Sequence, residues 1–215
     1  MQKQTLSKKS QEKYNKILKI AFKLFLKYGY AKTSLQMVIK QTEGSLATIY
    51  KLFGDKKTLF LESLKYGTKD FMEALDNNLS CIDKSNLSLE DFLKKYAQNL
   101  FNEMFQKDSI ALQRIIIIEG YHQPEIFKIF EAVCIKKANF YLIEGLKIYC
   151  QKNNLKIKNL EEAQDFFINQ IIHPYFYYII SNSSYTPPRT KEEIDKIIQR
   201  GVKMFMFYLK NYEEF

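Results

Sequence analysis

Side chains suited to chemistry crowd into the first quarter of this 215-residue chain, and the chemistry they suit is the holding of an anion. Thr33, Ser34, Ser45, Thr48, Tyr50, Lys51 and Lys56 place hydroxyl and ammonium groups within residues 33–56. Residues 1–57 carry 13 lysines and no arginine against Glu12, Glu43 and Asp55, a net of +10. The rest carries 20 basic and 21 acidic side chains, a net of −1. A basic end on a neutral body fits a polyanion partner; the competing reading is a solvated lysine-rich helix face. Bond-making chemistry has no such concentration. The two histidines, His122 and His173, have no metal-ligand spacing, and no dinucleotide fingerprint, phosphate-binding loop or nucleophile elbow occurs. Cys81, Cys134 and Cys150 are far apart and form no C-x-x-C, which fits reduced, packed cysteines. No catalytic residue, metal or cofactor is therefore expected.

The elements that must position these groups are helices. Gly (7) and Pro (4) are scarce, and apolar residues recur at three and four spacing, so the chain reads as all-α. A helix over 10–28 carries Ile17, Leu18, Ala21, Phe22, Leu24, Phe25 and Tyr28 on one broad apolar stripe and ends at Gly29. Thr33 or Ser34 caps a short helix with Leu35, Val38 and Ile39 inward. Gly44 breaks it, and Ser45 caps another carrying Leu46, Ile49 and Tyr50. Asp55 then caps a long helix beginning near Lys56. Two helices this short are marginal alone and need a third for a core, and the helix over 10–28 supplies it. The pattern is a helix-turn-helix over about 33–52.

From that geometry follow the expected contacts. Thr33 and Ser34, at a helix N-terminus, suit a phosphate oxygen, and Lys56 begins a second such terminus. Ser45, Leu46, Ala47, Thr48, Tyr50 and Lys51 form the outer face of the second short helix, small enough to sit deep in a DNA major groove. Gln36, one turn into the first short helix, is in reach of a base edge. Residues 1–113 contain no arginine, so this module cannot make the commonest guanine contact. Gln36 prefers adenine, and Leu46 and Ala47 suit the thymine methyl, so the operator is expected to be A·T-biased.

The remaining chain predicts helices over about 56–77, 88–106, 109–120, 124–153, 160–182 and 190–212, with His173-Pro174 kinking the fifth. Its apolar runs are too short to span a bilayer and the first residues lack an apolar leader, so no membrane partner and a cytoplasmic location are expected. A mainly apolar cavity is expected to be lined by some of Phe101, Phe105, Arg114, Ile117, Tyr121, Phe140, Tyr141, Glu144, His173 and Tyr177. Its ligand would be a small apolar or amphiphilic effector. Ordinary core is the alternative for most of these aromatics. The last two helices are expected to pair in a homodimer through Ile171, Ile172, Phe176, Ile179 and Ile180 with Ile197, Ile198, Met204, Phe205 and Tyr208.

The N-terminal stretch resembles the TetR family of bacterial transcriptional regulators. Phe25 with Gly29, Thr33-Ser34, Ser45, Thr48-Ile49-Tyr50, and Phe53 with Lys56 and Leu59 carry the resemblance over about residues 10–62. The stretch "ALQRIIIIEGYHQPEIFKIFE" resembles, more loosely, ligand domains of the same family. The family's turn glycine falls on Glu43, with Gly44 one position later, which puts the left-handed turn position at Gly44. The resemblance implies a helix-turn-helix domain at 10–70 and a larger helical ligand-binding and dimerisation domain at 71–215. It also implies a homodimer on a palindromic DNA operator, dimerising through its last two helices and released by a small molecule. The leading expectation is therefore a ligand-responsive regulator, a repressor and not an enzyme. The alternatives are a constitutive DNA-binding protein without ligand, or a helical lipid-binding protein or enzyme with a basic membrane-binding end.

Overall fold

The structure, a computed structural model, describes residues 7–42, 44–82, 86–181, 184, 187, 188 and 190–211. Every regular element among them is helical. In chain order these are α1 (Lys8–Lys32), α2 (Leu35–Thr42), α3 (Leu46–Phe53), α4 (Lys56–Ser80), α5 (Leu89–Met104), α6 (Lys107–His122) and α7 (Pro124–Phe130). A π-helical turn (Glu131–Ile135) leads into α8 (Lys136–Asn153), followed by α9 (Leu160–Ile171), α10 (His173–Ser181) and α11 (Lys191–Lys210). Two compact units form: Met1–Phe71 with Ala111–Phe130, and Met72–Ile110 with Glu131–Phe215. The division cuts through α4 and α6, and it assigns part of α6 and all of α7 to the unit that holds the first three helices.

The first unit is built on α1. Ile17, Leu18, Ala21, Leu24 and Phe25 form its buried stripe and meet Val38 of α2, Ile49 and Phe53 of α3, and Leu59, Phe60 and Leu64 of α4. Leu112, Ile115 and Ile116 of α6 and Ile126 of α7 complete the same core. Phe25 and Phe60 meet edge to face at 4.8 Å, a preferred aromatic geometry. Gly29, at φ 77°, breaks α1 where the apolar stripe ends.

In the second unit, α5, α8, α9 and α11 enclose Phe92, Leu93, Tyr96, Phe101, Leu142, Leu146, Phe167, Ile171, Ile198, Val202 and Phe205. Tyr96 is wholly buried but satisfied, donating to the Ala138 carbonyl at 3.2 Å, and burial pushes its phenol well above the usual range. The expected helix over 160–182 is two helices. Pro174 has no N–H to offer the Gln170 carbonyl, and the chain turns at Ile172. Among the described residues, no helix is long and apolar enough to cross a membrane.

Candidate nucleic-acid interface

Three capped helix starts shape the basic quarter. Ser34 is the cap of α2: its Oγ accepts from the Met37 N–H at 3.2 Å. At α3, Ser45 Oγ accepts from the Thr48 N–H at 3.2 Å and lies 3.0 Å from the Thr48 hydroxyl. At α4, Asp55 Oδ1 accepts from the Thr58 N–H at 2.7 Å, and that hydrogen bond holds the carboxyl below its ordinary range. Between α3 and α4, Gly54 sits at φ 78° and sends its N–H to the Tyr50 carbonyl, a backbone conformation that side chains rarely tolerate. Gly44 is outside the left-handed region, contrary to expectation, and Glu43 lies outside the described residues.

These caps aim α3. Ile49 and Phe53 point into the core, with Phe53 stacked on Tyr14 at 4.9 Å. The opposite face shows Leu46, Ala47, Tyr50 and Lys51 to solvent, Tyr50 at 51 % exposure. Ser45 is exposed beside them and Thr48 is half-buried, while Gln36 is exposed on α2 and Ser34 at its start. The structure thus presents eight of the ten residues named from sequence for DNA as outward or partly outward side chains flanking the turn. Thr33 is not among them. It is 1 % exposed, and its hydroxyl donates to the Gly29 carbonyl at 2.7 Å and to that of Leu24 at 3.2 Å. Two carbonyls freed by the end of α1 claim it, so it closes that helix and its hydroxyl is not available to a phosphate.

Lys56 is half-buried. Its ammonium donates to the Ala31 carbonyl at 3.3 Å and lies 4.4 Å above the Tyr30 ring, and burial lowers its pKa. It therefore ties the start of α4 to the end of α1. The neighbouring Lys57 pairs with Glu125 of α7. Tyr30, Lys57 and Glu125 were not legible as neighbours of Lys56, because nothing local in sequence connects residue 57 to residue 125.

The residues named for a ligand are divided between the two units. Arg114, Ile117 and Tyr121 belong to the first unit and the other seven to the second. Ile117, Tyr121, Phe140 and Tyr177 are exposed, Tyr121 at 85 %. Phe101 is buried against Phe105, with ring centroids 4.3 Å apart, and Tyr175 lies 6.1 Å away. Tyr141 is buried with its hydroxyl donating to Asp76, which also pairs with Lys137 at 3.1 Å. Glu144 pairs with Lys147 at 3.1 Å, and His173 is exposed with its ring on Asn169.

The expected dimer face also needs correction. Ile171, Ile172, Ile197, Ile198, Phe205 and Tyr208 are buried within the chain's own second unit; Phe176 and Ile180 are half-buried, and the Ile179 side chain lies outside the described residues. The most apolar positions of α9 and α11 went to the protomer's own core. What α10 and α11 leave exposed is Tyr177, Tyr178, Met204 and Phe207. The 3-residue step from Met204 to Phe207, on the polar side of α11, was the available sequence signal.

Comparison with known proteins agrees with this architecture. Residues 17–63 match the family "Bacterial regulatory proteins, tetR family", and residues 91–210 match "AefR-like transcriptional repressor, C-terminal domain". The HTH-type transcriptional regulator QacR of Staphylococcus aureus strain Mu50 is 25 % identical over 181 residues, covering 72 % of this chain and 96 % of that protein. Among solved structures, a chain assigned to the TetR-family regulators from Mesorhizobium loti superposes with a TM-score of 0.81 at 18 % identity, covering 94 % of this chain and 98 % of that one. The flavonoid-responsive regulator FrrA does so at 0.69 and 22 %, covering 92 % and 96 %.

Proposed function

The chain belongs to the TetR family of bacterial regulatory proteins, and we propose that this transcriptional regulator is a cytoplasmic homodimeric repressor. It binds a palindromic, A·T-biased DNA operator and is released by a small apolar or amphiphilic effector. The observation that carries the DNA-binding part is α3. An eight-residue helix, anchored inward by Ile49 and Phe53, turns Leu46, Ala47, Tyr50 and Lys51 outward, and those side chains are shaped for a major groove. Ser34 supplies the phosphate contact at the start of α2, with Gln36 a turn beyond, and Lys56 positions the start of α4. The division proposed is a DNA-binding domain over 10–70 and an effector and dimerisation domain over 71–215. Part of α6 and α7 nevertheless pack with the former.

Dimerisation uses the exposed strip Tyr177, Tyr178, Met204 and Phe207 on α10 and α11. Arg200, one turn before Met204, lies 3.5 Å from the Tyr175 hydroxyl and joins the two helices there. Two copies carry two α3 helices, which suits an operator with two half-sites. For the effector, the support is the aromatic content of the second unit around Phe101, Phe105 and Tyr175, together with a structural relative described as flavonoid-responsive. Effector binding that alters the separation of the two α3 helices would release DNA.

The test is a double substitution, Tyr50→Ala with Lys51→Ala, assayed on a selected operator and on random duplex at one salt concentration. Operator affinity should fall by about 1–3 kcal/mol for each base contact removed, while random-duplex binding changes far less. Equal losses on both duplexes would reject α3 as the reader.

A further inference from the structure

Among the described residues of the basic quarter, Lys57 is the lysine with a carboxylate at ion-pair distance, and that carboxylate comes from α7, almost seventy residues away. α1, by contrast, carries eight lysines with only Glu12 between them, and no ion pair of theirs falls among the described residues. The placement of Glu125 is structural rather than incidental. Ile126, its chain neighbour, is fully buried in the same core as Leu59 and Phe60 of α4, and Leu112, Ile115 and Ile116 of α6 lie in that core too. Gly120 lets α7 close on α6: a Cβ there would stand 3.3 Å from Phe127 Cβ. Glu125 is thus carried on two packed helices, with its side chain and that of Lys57 each nearly half exposed.

The surroundings make the start of α4 unusually acidic for a surface meant to meet DNA. Asp55 caps it, Glu125 holds Lys57, and Glu119 of α6 acts electrostatically on both Lys56 and Tyr30. Three carboxylates bracket two lysines where the first turn of a helix would otherwise attract a phosphate.

We propose that Glu125 is an intramolecular stand-in for a DNA phosphate: it holds Lys57 in the free protein, must release it for the DNA backbone, and so sets operator affinity below what the lysines alone would give. The inference rests on the DNA-binding reading above. The partner is the phosphate backbone, without sequence preference, because an ammonium point charge reads charge and not bases. The exchange costs little, since both ion pairs are solvent-facing, and this makes Glu125 a tuning residue rather than a block.

The experiment measures binding of the intact protein to a labelled random-sequence duplex of about 30 base pairs, long enough for two modules, at salt from about 50 to 200 mM. Wild type, Glu125→Gln, Glu125→Ala, Lys57→Ala and Lys57→Ala/Glu125→Gln are compared, with thermal melts confirming that each is folded. Glu125→Gln should bind about three- to ten-fold tighter at the low-salt end. Because Lys57 reaches a phosphate in both proteins, the salt slope of Glu125→Gln should stay close to that of the wild type, whereas Lys57→Ala should make it shallower by about 0.9; Glu125→Ala should act like Glu125→Gln. The double variant should bind like Lys57→Ala, the gain having vanished with its ammonium. Unchanged or weaker binding by both Glu125 variants, or a gain that survives removal of Lys57, would overturn the proposal. Absence of salt-dependent duplex binding by the wild type would instead strike the DNA-binding reading itself, and this inference with it.

Discussion

Each unit is closed by one glycine lying beneath a phenylalanine ring, and the two pairs differ in a way that separates the units physically. In the first, a Cβ on Gly67 of α4 would fall 2.3 Å from the Phe22 ring of α1. In the second, a Cβ on Gly145 of α8 would fall 2.1 Å from Phe92 Cζ of α5. Phe22 is half-buried at the edge of its core; Phe92 is 3 % exposed and hemmed in by the core. In the first unit the crowded ring lies at the edge of the core, and in the second it lies inside it.

The largest effect expected from this contrast is on stability. Gly145→Ala should cost about 1–3 kcal/mol from overpacking, more than the roughly 1 kcal/mol of helix propensity that alanine returns. Gly67→Ala should come out near zero, because the Phe22 ring can yield and the propensity gain offsets what remains. Urea titrations of both variants check the pair. Equal destabilisation would show that Phe22 is as confined as Phe92 and would remove the distinction.

Next in size is assembly. The wild type should scatter light as a dimer at micromolar concentration, and Phe207→Glu with Tyr177→Glu should halve the mass while leaving the helical signal intact. A charge at the centre of an apolar interface is poorly tolerated. A dimer that persists through both substitutions would place the interface elsewhere, and a monomeric wild type would dismiss it.

A smaller effect belongs to the first unit. Asp55→Ala removes the α4 cap and should lower stability at neutral pH by about 1 kcal/mol. Because the folded carboxyl titrates below its unfolded value, the cap's contribution is present above the unfolded pKa, about 3.9. It is lost as pH falls through the lower folded one. The difference in melting temperature between wild type and variant should therefore shrink in acid below about pH 4. A constant difference across that range would mean that the carboxylate charge is not what caps the helix. Within the second unit, the cysteines divide by burial. Burial pushes the Cys134 thiol up to about 12, so alkylation should reach exposed Cys81 first and Cys134 only on unfolding.

What could be read from sequence divides along the same line. Helix starts are local events, so Ser34, Ser45 and Asp55 announced α2, α3 and α4 within a residue or two, and the inward set of α3 followed from spacing alone. Thr33 failed because one hydroxyl next to another cannot reveal which of them turns inward; the end of α1 decided it by offering two carbonyls. Gln36, Tyr50 and Lys51 were legible as surface because their neighbours were plainly core. In the second unit the same reasoning misassigned faces. Apolar content ranks residues by their wish to be buried, but it does not say whether the protomer or its partner buries them. Hence Ile171, Ile197 and Phe205 went to the protomer's core, and the exposed strip fell to Tyr177, Met204 and Phe207. Membership of part of α6 and of α7 in the first unit was also beyond reach, since Ile115, Ile116 and Ile126 look alike whichever core receives them.

On the proposed function, α3, without an arginine, reads an A·T-rich operator as one half of a dimer. Selection from a pool of random duplexes at fixed, near-physiological salt tests it most directly. The expected outcome is enrichment of an inverted repeat whose half-site centres are one helical turn apart or a multiple of it, with A·T pairs at the contacted positions and guanine tolerated where Lys51 reaches. Half-sites dominated by G·C pairs at those positions, or a single unrepeated site, would contradict it.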